Sequence, residues 1–304
     1  MDTLPVELLL NIFSLVAHHQ PWLAACNRVS KQWHLLTKEP LYREPKLWHI
    51  KALESFVQTV ADSQETTFAQ NENSSLKNYF TASNGSLVKS IDLSMLPHRW
   101  ESVHVGLVQG LVQGCPFVTK LNLTDCALLR DNAIQLIAET LGPQRLRSLV
   151  LSGCVRITDV AILSLCAHAI QLENLDLSGC IRISDISVRE LGVATVPRNN
   201  DPTRSSNNQD YKNNDNYDQI IASPSSVAVD RAQGVSHSLR SLDLSQCIRI
   251  TDSGIRALRA GATQLTSLNL EGCYGILLDN DDLDTNEWED IDDDDFFEEP
   301  LVLS

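Results

Sequence analysis

A nine-residue pattern, Leu-x-x-Leu-x-Leu-x-x-Cys, constrains the fold of this chain more than any other feature, because it recurs. Four full copies begin at Leu146, Leu172, Leu239 and Leu265, and two weaker copies begin at Val88 and Val118. The cysteines at positions 126, 154, 180, 247 and 273 are 28, 26, 67 and 26 residues apart. A unit of about 26 residues cannot cover its own apolar side chains, so neighbouring copies must stack on one another.

Each copy predicts one short strand and one helix. The Leu-x-Leu alternation places the leucines on one face of a strand, and the apolar residues after each cysteine are spaced for a helix. Arg-Ile-Thr-Asp or Arg-Ile-Ser-Asp follows three of the cysteines, at 156–159, 182–185 and 249–252, and its Thr, Ser or Asp can cap that helix. The predicted class is α/β, an open horseshoe-shaped solenoid over residues 87–278, which resembles the cysteine-containing subfamily of leucine-rich repeats.

The cysteines and the N-terminus indicate the kind of protein. Five of the eight cysteines share one repeat position and none forms a Cys-x-x-Cys pair, so we expect packed thiols and no metal, disulfide or cofactor. No secretory signal precedes the first helix and no apolar run approaches 18 residues. These features predict a cytoplasmic and/or nuclear protein that does not enter a membrane.

The first 49 residues predict a different, all-α unit. Pro5 suits the start of a helix, and Leu8, Leu9, Ile12 and Phe13 then form an apolar stripe. A second helix follows Pro21. Two or three short helices bury too little surface to be stable alone, so their apolar residues predict a partner or contact with the solenoid.

This unit resembles an F-box. The resemblance rests on LPVELLLNIF at 4–13, CNRVSKQW at 26–33, and Leu47 followed by Trp48, although His-His-Gln-Pro at 18–21 replaces the usual acidic, leucine-rich linker. An F-box binds the Skp adaptor of a Skp–cullin–F-box ubiquitin ligase. The resemblance implies that the adaptor contacts are Leu4, Pro5, Leu8, Leu9, Ile12, Phe13, Val29 and Trp33. Some of these residues, especially Ile12 and Val29, could belong to the internal core instead, and the sequence does not separate the two roles.

An F-box followed by leucine-rich repeats resembles the substrate receptors that present protein targets for ubiquitination. A resemblance to the solenoid entry of fungal members similar to the antagonist of mitotic exit rests on Pro-Leu-Tyr-Arg at 40–43, Leu-Trp-His-Ile at 47–50, and the amphipathic Leu53, Phe56, Val57 and Val60. Residues 50–86 are predicted to be the segment that connects the F-box to the solenoid. No nucleophile motif or phosphate-binding loop is present, so we expect a non-catalytic subunit. Two alternatives share the horseshoe: a scaffold or inhibitor that binds a partner without ubiquitinating it, and a ribonuclease-inhibitor-like protein whose first helices only cap the repeats.

The target surface is predicted from strand alternation. The concave face should carry Asn122, Val150, Asp176, Asp243 and Asn269, and a row of arginines should lie just beyond the strands, at Arg156, Arg182 and Arg249. A small, polar face suits a protein target better than a small molecule. The arginine row is either a solvated rim or an anion-binding surface. The body lacks the positive charge that nucleic acid binding requires.

Two segments fall outside the repeat pattern. The interval from Cys180 to Cys247 exceeds one repeat by 67 − 26 = 41 residues, and residues 194–236 within it are rich in Asn, Ser and Asp, which predicts a disordered insert. Residues 279–304 form an acidic tail, in which Asp279 to Glu299 hold 13 carboxylates and no Lys or Arg. Without them the net charge changes from −15 to −2. The tail is either solubilising or able to fold back onto the last repeat.

Overall fold

The computed structural model describes residues 4–16, 19–65, 83–143, 145–192 and 238–277. The predicted insert at 194–236 and the predicted acidic tail at 279–304 lie outside these residues. The described residues form the N-terminal helices, a helix at 50–65 and the repeats.

Three helices form the N-terminal unit: α1 (Val6–Leu15), α2 (Gln20–Cys26) and α3 (Lys31–Arg43). Pro21 lies in the first turn of α2, and the Ser30 hydroxyl caps α3 by accepting a hydrogen bond from the Trp33 amide at 3.2 Å. The core of this unit contains four buried apolar side chains, from Leu9, Phe13, Leu23 and Leu36. A core of this size stabilises the unit only weakly.

Helix α4 (Ile50–Glu65) belongs to the solenoid core rather than to the N-terminal one, since Leu53 and Val60 are buried there. It packs against α6 (Val105–Gly114), which follows the short helix α5 (Arg99–Ser102). Glycine makes this contact possible, because a Cβ atom at Gly110 would lie 2.4 Å from Val57 and one at Gly114 would lie 2.4 Å from Val60. Helix α4 therefore covers the first repeat as a cap.

The repeats form one parallel sheet whose strand order follows the chain. Its strands are β1 (Ser90–Asp92), β2 (Lys120–Asn122), β3 (Ser148–Val150), β4 (Asn174–Asp176), β5 (Ser241–Asp243) and β6 (Ser267–Asn269). The helices on the other side are α7 (Asp131–Leu141), α8 (Asp159–His168), α9 (Asp185–Gly192) and α10 (Asp252–Gly261). The central apolar residue of each strand is in register with its neighbours. This confirms the predicted solenoid preceded by a small all-α unit.

The long interval between repeats does not interrupt the sheet. Asn174 of β4 pairs with Ser241 of β5, and Asp176 pairs with Asp243, just as consecutive strands pair elsewhere. The thiol of Cys247 also reaches back to the carbonyl of Leu177 at 3.2 Å. The repeats on either side of the insert are therefore direct neighbours in the stack.

The repeat cysteines connect successive turns. The Cys154 thiol donates to the carbonyl of Leu123 at 3.3 Å, and Cys180, Cys247 and Cys273 make the same contact one repeat further along, at 3.0 to 3.3 Å. Burial raises the pKa of Cys126, Cys154 and Cys247 to about 12. Thiols with such pKa values stay protonated and are poor nucleophiles and metal ligands.

The raised pKa values predict that the solenoid is labile in alkali. Unfolded thiols titrate near pH 9 and the folded ones near 12, so between these values the unfolded state binds fewer protons and stability falls as pH rises. Each buried thiol should lower the free energy of unfolding by about 1.4 kcal/mol per pH unit in this range. Urea unfolding at pH 9.5 and 10.5 measures the slope, which should become shallower by about that amount in Cys154→Ala. An unchanged slope in this variant would contradict the assignment.

The repeat aspartates have a role that differs from the predicted one. We expected Thr, Ser or Asp to cap the helix that follows, and in α8 the cap is Thr158, which accepts from the Val160 amide. The carboxylate of Asp159 instead reaches the next repeat, where it accepts hydrogen bonds from the Ser184 amide and hydroxyl at 2.8 Å and from the Ser187 hydroxyl at 2.6 Å. Equivalent bonds join neighbouring repeats from Asp131, Asp185 and Asp252. We call these residues the aspartate ladder.

The number of hydrogen bonds that each aspartate of the ladder accepts predicts its contribution to the free energy of unfolding. Asp159→Ala removes three hydrogen bonds and leaves the buried Ser187 hydroxyl without its acceptor, so we expect a loss of about 3 kcal/mol in the free energy of unfolding. Asp252→Ala is the matched control, since Asp252 accepts one bond, from the Leu277 amide at 2.9 Å, and should cost about 1 kcal/mol. Urea denaturation compares the two. Equal losses would show that the number of hydrogen bonds an aspartate accepts does not set its contribution to stability.

Candidate functional site

Helix α1 is apolar on three of its sides. Its polar residues, Glu7, Asn11 and Ser14, follow one another at four- and three-residue steps and so form a single narrow polar stripe. Leu9 and Phe13 point into the core. A helix with so little polar surface normally has a neighbour on each apolar side.

One exposed side of α1 is a continuous apolar surface. Leu8, Ile12 and Leu15 lie four and three residues apart, which places them on one face of the helix, and all three are exposed. We call these three residues the α1 stripe. No described residue of the chain buries them. The α1 stripe is therefore a candidate protein interface.

The structure corrects part of the predicted adaptor-contact set. Leu9 and Phe13 are 2% and 1% exposed, because they form the core with Leu23 and Leu36, and so their side chains cannot contact a partner in this conformation. Conversely, Ile12 and Val29, which were the foremost candidates for the core, are 46% and 60% exposed.

The remaining predicted contacts lie at or near the surface. Leu4, Pro5 and Leu8 are exposed, whereas Trp33 is half-buried with its ring edge-on to Phe13 at 5.1 Å. The sequence reasoning did not select Leu15 or Trp22, both of which are exposed. The four- and three-residue spacing from Leu8 could have indicated Leu15. Nothing in the sequence pattern singled out Trp22, which lies beside His19.

The strand residues predicted for target binding form one row. Asn122, Val150, Asp176, Asp243 and Asn269 are partners of one another in consecutive strand pairs, and each is at least partly exposed. Adjacent side chains in such a row are about 4.8 Å apart. Whether they bind a target stays a prediction, but they present a single, continuous polar line on the sheet.

Several side chains in this row are fixed by local hydrogen bonds, which the sequence reasoning missed. One carboxylate oxygen of Asp176 accepts from the amide and hydroxyl of Ser178, at 2.9 and 2.6 Å. Asp243 accepts from the Ser245 amide at 2.8 Å and from the Asn269 side chain at 3.0 Å. Such Asx-type contacts hold the carboxylates in place before any partner arrives.

The three predicted arginines are exposed and adjacent to one another. The Arg249 guanidinium donates to the backbone carbonyl of Arg182 at 3.2 Å, which places these two side by side in neighbouring repeats. Arg156 precedes them by one further repeat. Among the described residues, no carboxylate forms a salt bridge with any of the three. Each guanidinium therefore keeps most of its donors for solvent or for a ligand.

The described residues offer neither a metal site nor a membrane-spanning helix. Within them, no three His, Cys, Asp or Glu side chains are grouped in a way that could hold a metal ion. Also within them, no helix is long and apolar enough to cross a membrane. The exposed surfaces described above are the α1 stripe, the polar row on the sheet and the arginine row.

Two family models match parts of this sequence. Residues 1–48 match the family model described as F-box-like, and residues 235–258 match the model described as Leucine Rich repeat. No curated protein matches the sequence. Among solved structures, a chain in the crystal structure of the Rad7 and Elc1 complex in yeast is 19% identical with a TM-score of 0.38. That match covers 82% of this chain and 61% of the other. The chain thus carries an F-box-like domain at its N-terminus and at least one leucine-rich repeat.

Proposed function

We propose that this chain is the substrate-recognition subunit of a Skp–cullin–F-box ubiquitin ligase. In this role the N-terminal helices bind a Skp-family adaptor, which in turn binds a cullin, and the repeats bind a protein target that is marked for proteasomal degradation. The chain itself is non-catalytic, and it uses no cofactor, because ubiquitin transfer belongs to other subunits of such ligases.

The observation that carries this proposal is the α1 stripe. It lies within the segment that matches the F-box-like model, and its three large apolar side chains are exposed. Burying a Leu or Ile side chain of this kind contributes about 1.5–3 kcal/mol, so three together supply a substantial part of the affinity of a typical interface. The N-terminal unit also has a small core, which favours stabilisation by a bound partner.

The repeats support the second half of the proposal. A solenoid presents a long, shallow surface, and the polar row from Asn122 to Asn269 extends over five strands. Such a surface fits an extended or folded protein segment rather than a small molecule, which requires an enclosed apolar pocket. The arginine row adds donors for acidic or phosphorylated groups on the target.

We also propose a relationship to one group of fungal proteins and a location within the cell. The segment that resembles the solenoid entry of fungal proteins similar to the antagonist of mitotic exit extends into α4, which caps the first repeat. We propose that the chain is related to that group. We place it in the cytoplasm or the nucleus, since all eight cysteines are free thiols, and thiols persist in reducing compartments.

Co-purification tests the proposal directly. The tagged chain, expressed in cells, should retain a Skp-family adaptor and a cullin, identified by mass spectrometry. A chain lacking residues 1–49 should lose both and keep its target. If the intact chain retains neither adaptor nor cullin, the N-terminal helices serve only to cap the repeats. If both bind but the captured target is not ubiquitinated in a reconstituted reaction, the chain is a scaffold or an inhibitor.

A further inference from the structure

A row of exposed apolar side chains runs beside the arginine row. In the loop that joins each strand to its helix, the residue directly after the repeat cysteine is apolar, and its exposure ranges from 39% to 84% in four successive repeats. In three of them the next residue is arginine. We call the combined surface the composite rim, and its residues are Val155, Ile181, Ile248 and Tyr274 on the apolar edge and Arg156, Arg182 and Arg249 on the cationic edge.

The two edges run parallel because the loops stack as the strands do. Strand neighbours lie about 4.8 Å apart, so a repeated position forms a nearly continuous line from one repeat to the next. The carboxylates nearest in sequence, those of Asp159, Asp185 and Asp252, are engaged by the aspartate ladder. They form no salt bridge with the rim arginines. An anionic ligand on this edge therefore does not have to displace an existing ion pair.

The tail of this chain has the complementary composition. Its 13 carboxylates between Asp279 and Glu299 are interspersed with large apolar side chains, those of Trp288, Ile291, Phe296 and Phe297. The chain also enters the tail beside the rim. The last described residue, Leu277, donates its amide to Asp252 at 2.9 Å, and Asp252 lies three residues after Arg249.

We infer that residues 279–299 dock along the composite rim in the free protein, with their carboxylates at the cationic edge and their aromatic and aliphatic side chains on the apolar edge. Other surfaces of the molecule fit less well. The polar row carries Asp176 and Asp243, which repel an acidic segment. The inference concerns the free chain and does not depend on adaptor binding.

A second cationic group lies at the other end of the strands. Lys89 and Arg145 are placed over the ring of Phe117, 5.0 and 4.5 Å from its centroid. Because two cations already cover this ring, the group offers no comparable apolar edge for the side chains of the tail. Lys89 also belongs to the first repeat, far along the stack from the repeat where the tail begins. The composite rim is therefore the favoured location.

Because the tail is tethered to the repeats, a weak contact is sufficient to keep it on the composite rim most of the time. A short flexible connection gives an effective concentration on the order of 1 mM. A segment with a separate dissociation constant of about 0.1 mM would then be docked about 90% of the time, which slows exchange from the docked amides by roughly tenfold.

Hydrogen exchange followed by mass spectrometry tests the inference on the full chain. At 0.1 M salt, the amides of residues 279–299 and of the rim loops should exchange about tenfold more slowly than in the variant Arg156→Glu, Arg182→Glu, Arg249→Glu. The matched control, Lys51→Glu, Arg189→Glu, Arg256→Glu, reverses three exposed cations on helices and should keep the protection. The rim loops should also lose protection in a chain that ends at Leu277. At 1 M salt the charge contribution fades, as the Debye length falls to about 3 Å.

A change in the tail alone provides an independent arm. Replacing its carboxylates by the corresponding amides leaves every described residue intact, and it should remove the protection as the rim variant does. Equal exchange in the parent and both variants overturns the inference. Protection that maps to the segment around Lys89 and Phe117, or that rises with protein concentration, also overturns it, because the tail would then occupy another surface or another copy of the chain.

Discussion

Placing two carboxylates on the α1 stripe, by Leu8→Asp and Ile12→Asp together, should abolish adaptor binding while the chain remains folded. Both side chains are exposed, so the substitutions disturb no core contact. At an interface centre each loses roughly 2 kcal/mol or more of apolar burial and adds a buried, unpaired charge. We expect the affinity for a Skp-family adaptor, measured by calorimetry, to fall by more than about a thousandfold.

The polar stripe of the same helix provides a control with identical charge. Asn11→Asp and Ser14→Asp add two carboxylates to α1 on its polar side. This variant should bind the adaptor within a few-fold of the parent. If both double variants bound equally well, or both failed equally, the α1 stripe would not be the contact surface.

Truncating Phe13 to Ala should unfold the N-terminal unit and leave the solenoid intact. Phe13 is one of four buried apolar side chains in that core, and its ring meets Trp33 edge-on. Replacing Phe by Ala in a core typically lowers the free energy of unfolding by about 3–5 kcal/mol, and we expect this to exceed the stability of so small a unit. Hydrogen exchange should show residues 6–43 fully exchanged, with the strands of the repeats protected as in the parent.

The two losses of binding would then have different origins. Phe13→Ala acts through folding, so the conservative variant Phe13→Leu should restore both the protection and the binding in large part. Leu8→Asp with Ile12→Asp acts at the surface and leaves exchange in α1 unchanged. If Phe13→Ala kept the N-terminal unit folded, the four-residue core would not be what holds these helices together.

The repeats were predictable because their signal is periodic and their neighbours are copies of themselves. Once Leu149 and Leu175 occupy the same position in successive units, parallel strands in register are the arrangement that buries both. The row of strand residues was predicted from alternation, and the arginine row was predicted from a shared position two residues after each repeat cysteine. The shared cysteine position likewise predicted buried thiols, which the structure shows bonded to the preceding turn.

The sidedness of α1 was not predictable in the same way. Its sequence is apolar on three sides, so periodicity excludes only the polar stripe and cannot distinguish Leu9 from Leu8 or Phe13 from Ile12. The tertiary contacts with Leu23 and Leu36 make that choice. The aspartate ladder was missed for a related reason. A Thr-Asp pair at a helix start is compatible with capping its own helix, and only stacking shows that the carboxylate of Asp159 reaches Ser184 instead.

At the junction between β4 and β5, two repeats stack directly although they are not close in the chain. These strands pair directly, although Asp176 and Ser241 are 65 residues apart in the chain. The hydrogen bonds that Thr251 donates to Asp185 and that Cys247 donates to Leu177 also join these two repeats, as equivalent bonds do between repeats joined by short loops. The solenoid thus consists of two parts, the repeats through β4 and the repeats from β5 onwards, which are held together by the contacts between their facing surfaces. A peptide bond cleaved between the two parts would leave a complex of two fragments, and a foreign domain inserted there would leave the binding surfaces on both sides in place.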